Sequence, residues 1–285
     1  MLLACYAVWA AGTTFLAALW LPAAVLVAAF SITLFSSLQH EVLHGHPTPS
    51  RWLSEALVFP ALTVFIPYLR FRDLHLAHHH TNRLTDPYDD PETNYLDPAV
   101  WARLAWPLRA ALSFNNTLLG RLAVGPLVSQ VAFMRGDWRA IRGGDLGVLA
   151  GWLWHVPALG LVGLWLGYVA QMPLWAYLLA AYMGLSLLKI RTFLEHRAHD
   201  RASGRTVVVE DRGPLALLFL NNNLHVVHHM HPRVAWYRLP KLFADNRVHY
   251  LGRNDSYHYR SYAEVFAKYF VRAKDPVPHP LWRRD

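Results

Sequence analysis

Four membrane-spanning helices in two hairpins, closed on one face by a helical cap, is the all-α fold that the sequence predicts. Three observations predict it. Hydrophobic residues make up 54% of the 285 and charged residues only 16%, against about 25% in an average soluble domain. Residues 1–40 and 146–188 contain no Asp, Glu, Lys or Arg, and each block, at roughly 1.5 Å per helical residue, gives about 60 Å of helix, twice the hydrocarbon thickness of a bilayer. Every Lys and Arg lies in 44–143 or from Lys189 onward, so these segments and both termini read as cytoplasmic by the positive-inside rule.

The first block breaks at Leu21-Pro22, giving spans over about 2–20 and 23–43. A signal peptide would carry a basic n-region, whereas the first Arg is Arg51. The second block breaks near Ala170–Pro173, giving spans over about 146–169 and 174–188, with Pro157 expected to kink the third and Gly160, Gly163 and Gly167 small enough for a neighbour to approach. Segments 51–70 and 99–135 are apolar but interrupted by Arg and Pro, and read as interfacial helices. The tail run Tyr262–Phe270 is amphipathic and is expected to pack on the cap. One integral-membrane domain over 1–285 accounts for the pattern.

A lone cysteine, Cys5, excludes disulfides, Cys-ligated zinc and a resident iron–sulfur cluster. The net charge of +8 is no nucleic-acid signature, because the basic residues lie between spans, where topology explains them. Histidine is the unusual residue, at 17 of 285. The four clusters are His40-Glu-Val-Leu-His44, His75-Leu-Ala-His78-His79, Glu195-His196-Arg-Ala-His199 and His225-Val-Val-His228-His229. On a helix, i, i+3 and i+4 share a face, so each H-x-x-H-H run turns three imidazoles the same way. Random placement gives roughly 0.06 such runs; the chain has two. His40, His44, His75, His78, His79, His196, His225, His228 and His229 are too many for one tetrahedral zinc and suit two metals, with iron, copper, nickel and zinc all open on donor type.

His40-Glu41-x-x-His44 also spells the H-E-x-x-H signature of zinc proteases. That chemistry leaves both H-x-x-H-H runs unexplained, and the alternative role for Glu41 is to orient an imidazole. A metal transporter would need polar groups within spans that carry no charge.

The box order, with Gln39-His-Glu-Val-Leu-His-Gly-His-Pro47, His78-His-His-Thr-Asn82 and Asn223-Leu-His-Val-Val-His-His229, resembles the membrane fatty acid desaturases, which are related to alkane and carotenoid hydroxylases. The resemblance runs from the second span to the tail. It implies a cytoplasmic non-haem diiron centre holding two Fe ions, O₂ as co-substrate, and oxidation of an unactivated C–H bond in a lipid or acyl chain. By position, His40 and His44 are the first box, His75, His78 and His79 the second, and His225, His228 and His229 the third. His196 resembles the additional ligand after the fourth span. Thr192 stands where some acyl-CoA desaturases have Asn, which removes a water-mediated ligand. With no dinucleotide fingerprint, haem domain or cysteine cluster, electrons are expected from an external carrier such as a ferredoxin or a b-type cytochrome, steered by the arginine-rich face.

Around the boxes, Asp86, Asp89, Asp90 and Glu92 read either as acceptors for ligand imidazoles or as a solvated turn. Asn221, Asn222 and Asn223 either cap the third-box helix or reach a ligand, and the cap is the favoured reading. His46, His80, His199 and His231 fall outside the pattern, and His155 reads as an intramembrane histidine bonded to a neighbouring helix, the alternative being a place in the lining of a substrate channel. A hydrocarbon tunnel between the spans could be lined by Trp152, Trp154, Trp165 and Trp175, but apolar aromatics at helical spacing read first as packing or interfacial belt. Desaturation and hydroxylation diverge only after the first hydrogen is removed; the box order favours desaturation.

Overall fold

The computed structural model describes residues 1–282 and is mostly helical. The chain forms two compact units, one of Met1–Asp73 with Ser129–Leu188 and the other of Leu74–Val128 with the segment from Lys189 onward.

Three helices of the first unit are long and apolar enough to cross a membrane: α1 (Leu2–Leu19), α2 (Leu21–Leu43) and α9 (Leu146–Tyr168). The expected fourth span lies within α10 (Leu174–Thr192), whose last turn carries Lys189 and Arg191, so its apolar stretch is shorter. Between these lie α3 (Arg51–Leu57), α4 (Tyr68–His80), α5 (Pro98–Arg103), α6 (Trp106–Asn115), α7 (Leu118–Ala123) and α8 (Gly125–Arg142). Segment 99–135 is thus a series of short helices broken where Pro and Asn interrupt it, and α6 buries none of its residues.

The first hairpin turns at Trp20, which is extended (φ −156°), rather than at Leu21-Pro22. Pro22 sits in the first turn of α2, where its missing N–H costs nothing. The two helices run antiparallel: the Cys5 thiol donates to Ser31 O at 3.3 Å, and Gly12 lies against Val27. Within α1, Gly12–Leu16 winds as a π-helix. Such a turn frees backbone groups, and the Thr13 carbonyl accepts N–H bonds from Gln171 and Met172 at 2.9 and 3.1 Å. The α9–α10 turn is thereby docked onto α1, and Trp165 adds a bond to the Thr13 hydroxyl at 3.0 Å.

Gly160, Gly163 and Gly167 do not provide the close approach expected of them: nothing lies within 4 Å of where their Cβ atoms would be. The close contact is at Gly184, whose added Cβ would sit 3.0 Å from Ala29 O, and whose carbonyl accepts from Thr33 at 3.1 Å. α9 continues through Pro157. His155 is buried, with Nε2 2.7 Å from the Val64 carbonyl, a loop rather than a helix.

A buried ion pair ties α4, α8 and α9 together. Arg70 donates twice to Asp137, Nε and Nη2 each at 2.9 Å, and Trp152 Nε1 adds a third donor at 2.8 Å.

The second unit is built on a parallel two-stranded pair, β1 (Val208–Val209) with β2 (His258–Tyr259). After α11 (Pro214–Leu218), α12 (His225–Met230) packs against β1 through a core of Val208, Leu224, Val226 and Val227, completed by Leu239 and Phe243 of α13 (Leu239–Asp245) and Tyr250 of α14 (Arg247–Arg253). The tail helix α15 (Tyr262–Tyr269) buries Tyr262, Val265 and Tyr269, as its amphipathic pattern requires.

Asp137→Ala strips the buried Arg70 guanidinium of its bidentate partner, leaving only the exposed Asp73 at 4.0 Å, and should destabilise the protein by about 3 kcal/mol. Thermal unfolding in detergent measures it, with Asp137→Asn expected to fall between the variant and the parent.

Candidate metal centre

The second unit gathers seven of the nine histidines, and the local sequence explains how. In α12 the residues His-Val-Val-His-His divide by face. Val226 and Val227 (2% and 0% exposed) go into the core against β1, which turns His225, His228 and His229 to the opposite side. The preceding turn passes through positive φ at Leu220 and Asn221 and is pinned by Asn223 Nδ2 on Val209 O at 2.6 Å. In α4, His75, His78 and His79 share the face that the i, i+3, i+4 spacing gives them. His80 leaves that face and is exposed, its Nδ1 against Leu76 O.

His78, His196, His225 and His229 offer ligand atoms within 4.8 Å of one another. His78 Nε2 and His225 Nε2 approach the same atom, His196 Nε2, at 2.9 and 3.1 Å, and His229 Nε2 lies 3.1 Å from His225 Nε2. The other nitrogens explain which of these carry protons. His78 Nδ1 donates to Asp90 Oδ1 at 2.7 Å, and His225 Nδ1 donates to the Asn222 amide oxygen at 3.1 Å. With the ring proton on Nδ1, a neutral imidazole presents a bare lone pair at Nε2. Once His78 has given up its extra proton, two lone pairs face His196, whose single ring proton can serve only one of them. A cation at that point satisfies all of them, so the donor set fits a metal.

The second group within this unit is His75, His79 and His228, with His79 Nε2 3.0 Å from His75 Nε2 and 3.1 Å from His228 Nε2. His75 Nδ1 donates to Glu92 at 2.8 Å. His40 and His44 belong to the first unit, both buried at the C-terminal end of α2 with ring centroids 4.8 Å apart.

The carboxylates around the imidazoles are as ordered as the rings. Asp90 is buried and also accepts from the Thr85 and Glu92 amides, at 2.7 and 3.0 Å. Burial opposes ionisation of Glu92, but the fields of His75 and His78 outweigh it and hold this carboxyl well below its usual range. Burial, reinforced by neighbouring imidazoles, keeps His196, His225 and His229 far below the ordinary histidine value, so they are neutral, as ligands must be. His78 differs: burial lowers it, but Glu92 and Asp90 together push it up to about 9.

The Asp86–Glu92 segment therefore divides. Asp90 and Glu92 orient imidazoles, Asp86 closes its own turn through the Tyr88 and Asp89 amides, and Asp89 pairs with Arg83 at the surface. The asparagines do not cap α12, whose N-terminus has no side-chain cap. Asn222 orients His225 instead, a role its i, i+3 spacing to that histidine could have signalled. Two groups escaped the sequence reading: Glu195, an ion pair with Arg191 at 2.8 Å that lies 3.7 Å from His225, and Lys274, which donates to the His196 carbonyl at 2.7 Å. Thr192 Oγ1 is buried without a partner. His199 pairs with Asp255 away from the cluster.

Residues 17–261 match the fatty acid desaturase family. The chain belongs to that family. Within it, the chain is 28% identical over 218 residues to a beta-carotene ketolase of Paracoccus sp. (strain N81106 / MBIC 01143), an alignment covering 74% of this chain and 73% of that relative. Family and relative alike make this chain an oxidoreductase of the membrane desaturase kind.

Asp90 Oδ1 accepts from both His78 and the Glu92 amide while Oδ2 accepts from the Thr85 amide, and an asparagine offers this third donor no oxygen. Asp90→Asn should lower metal affinity about 10–100-fold, read by metal retained after a graded chelator challenge. Because the raised His78 must lose its extra proton before Nε2 can bind a cation, apparent affinity should rise about tenfold per pH unit from near neutrality to about pH 9 and then flatten.

Proposed function

We propose that this desaturase-family protein is a non-haem diiron enzyme that desaturates a fatty acyl chain or related lipid with O₂ and electrons from an external donor. The carrying observation is the convergence of imidazoles whose outer nitrogens are already committed to Asp90, Glu92 and Asn222. In this reading His78, His196, His225 and His229 hold one iron, His75, His79 and His228 serve the other, and His40 and His44 are ligands by their place in the first box. Bound there, iron supplies O₂ activation and oxidation of an unactivated C–H bond.

The chain's own residues do the rest. Asp90 and Glu92 fix the Nδ1–H tautomers, so the Nε2 lone pairs need no reorientation when metal enters. Nine neutral ligands leave the metals' charge to be offset by the nearby carboxylates, of which Glu92 and Asp90 touch ligand rings directly. Four spans in two hairpins, with both termini and the histidine cap in the cytoplasm, place the site where a soluble carrier, ferredoxin or b-type cytochrome, can reach it. The arginine-rich surface favours an acidic one.

The ketolase relative favours a second outcome on the same residues, oxygen insertion into a carotenoid or other lipid. Lipid mass spectra of a host supplying an electron donor separate the two. Loss of two hydrogens is expected; a dominant product carrying one oxygen from labelled O₂ would give the case to insertion. A cysteine placed in the 170–173 turn should react with an impermeant reagent from outside, and one near Asp89 should not; Cys5 is buried and does not interfere.

A further inference from the structure

The geometry points to a cavity in the first unit as the binding site for one hydrocarbon chain ending in an uncharged oxygen acceptor, with the Tyr68 hydroxyl as its anchor. The cavity measures about 480 Å³, within the range of about 300–1,000 Å³ usual for small-molecule sites. Its walls are mainly apolar, supplied by Trp52, Phe59, Ile66, Trp154 and Ala158. Such a lining, in the unit that carries the membrane helices, selects a hydrocarbon body.

The few polar groups in the wall decide the end of the ligand. His155 Nε2 is committed to Val64 O, and Gln39 Nε2 to Val58 O at 3.4 Å. Glu55 accepts from both Arg51 and Arg72, each at 2.9 Å. Tyr68 alone among these has a hydroxyl that is buried with no hydrogen-bond partner. A buried donor left unmade is costly, and a ligand oxygen in the cavity would relieve it.

Charge excludes an anionic end. Arg51 and Arg72 would attract a carboxylate or phosphate, but Glu55 and Asp73 already match them, Asp73 lying 2.7 Å from Arg72 Nη2. No surplus cation remains at the cavity, and Glu55 in its wall disfavours a second carboxylate. An ester, ketone or alcohol end fits; a free fatty acid does not. Gln39, in the wall, directly precedes His40 of the first box. As the seat of the substrate the cavity rests on the oxidoreductase reading above; as a lipid site it stands without it.

Photo-crosslinking of the full chain in nanodiscs tests this, with three diazirine probes of equal length: a methyl ester, a hydrocarbon and a free fatty acid. The ester is expected on peptides within 52–69 and 151–158, displaced by unlabelled ester and captured more than the acid. Ala56, exposed in the cavity wall, can accept a larger side chain; Ala56→Trp should remove capture of both ester and hydrocarbon. Tyr68→Phe should lower ester capture about three- to tenfold, one hydrogen bond's worth, and leave the hydrocarbon unchanged. Labelling confined to other peptides, acid captured above ester, or Tyr68→Phe acting equally on ester and hydrocarbon would overturn the proposal. Capture in the cavity without any oxidised product upholds the lipid site and removes the enzymatic reading; oxidised product with capture elsewhere does the reverse.

Discussion

Seven buried or half-buried imidazoles that meet one another through their Nε2 atoms are the constraint on which the second unit is built. In an apolar interior such a cluster is unfavourable unless each ring is held in one tautomer and a cation is available to the free nitrogens. The carboxylates of Asp90 and Glu92 and the amide of Asn222 supply the first condition. The elements that carry them are positioned by ordinary packing: Val226 and Val227 seat α12 against β1, and the Lys274 ammonium fixes the backbone of His196 from the tail. The polar site depends on an apolar frame that has no chemistry of its own.

The membrane unit solves a different problem, that of locking helices together where burial of apolar surface against lipid gains little. It does so with few polar bonds and close approaches. The π-turn of α1 offers the Thr13 carbonyl to the α9–α10 turn, Gly184 brings α10 against Ala29, and Asp137 gathers donors from Arg70 and Trp152. Tyr177, wholly buried, accepts from Trp9 and donates to Leu62 O. The cavity among these locks is lined from α2, α3, α4 and α9 and from the loop before α4.

Features set by local periodicity were legible in the sequence. The H-x-x-H-H spacing gave the shared face on α4 and α12, the charge-free blocks gave the long helices, and the amphipathic tail gave α15. Features set by a partner were not. Gly160, Gly163 and Gly167 have the spacing of a helix contact but face away from the chain, while Gly184, alone in its helix, makes one. Asn222 has the composition of a cap and the geometry of a histidine partner. Pro22 marks a helix start as readily as a break, so the turn moved to Trp20. Asp90 and Asp89 are adjacent and chemically identical, and only the turn that buries one of them separates their roles.

The account stands on the histidine cluster being a two-metal site. Elemental analysis of protein purified anaerobically and reconstituted with ferrous iron, paired with Mössbauer spectroscopy, addresses that directly. Two irons per chain in nitrogen-rich environments is the predicted result. A single zinc per chain, with no iron taken up, would contradict it.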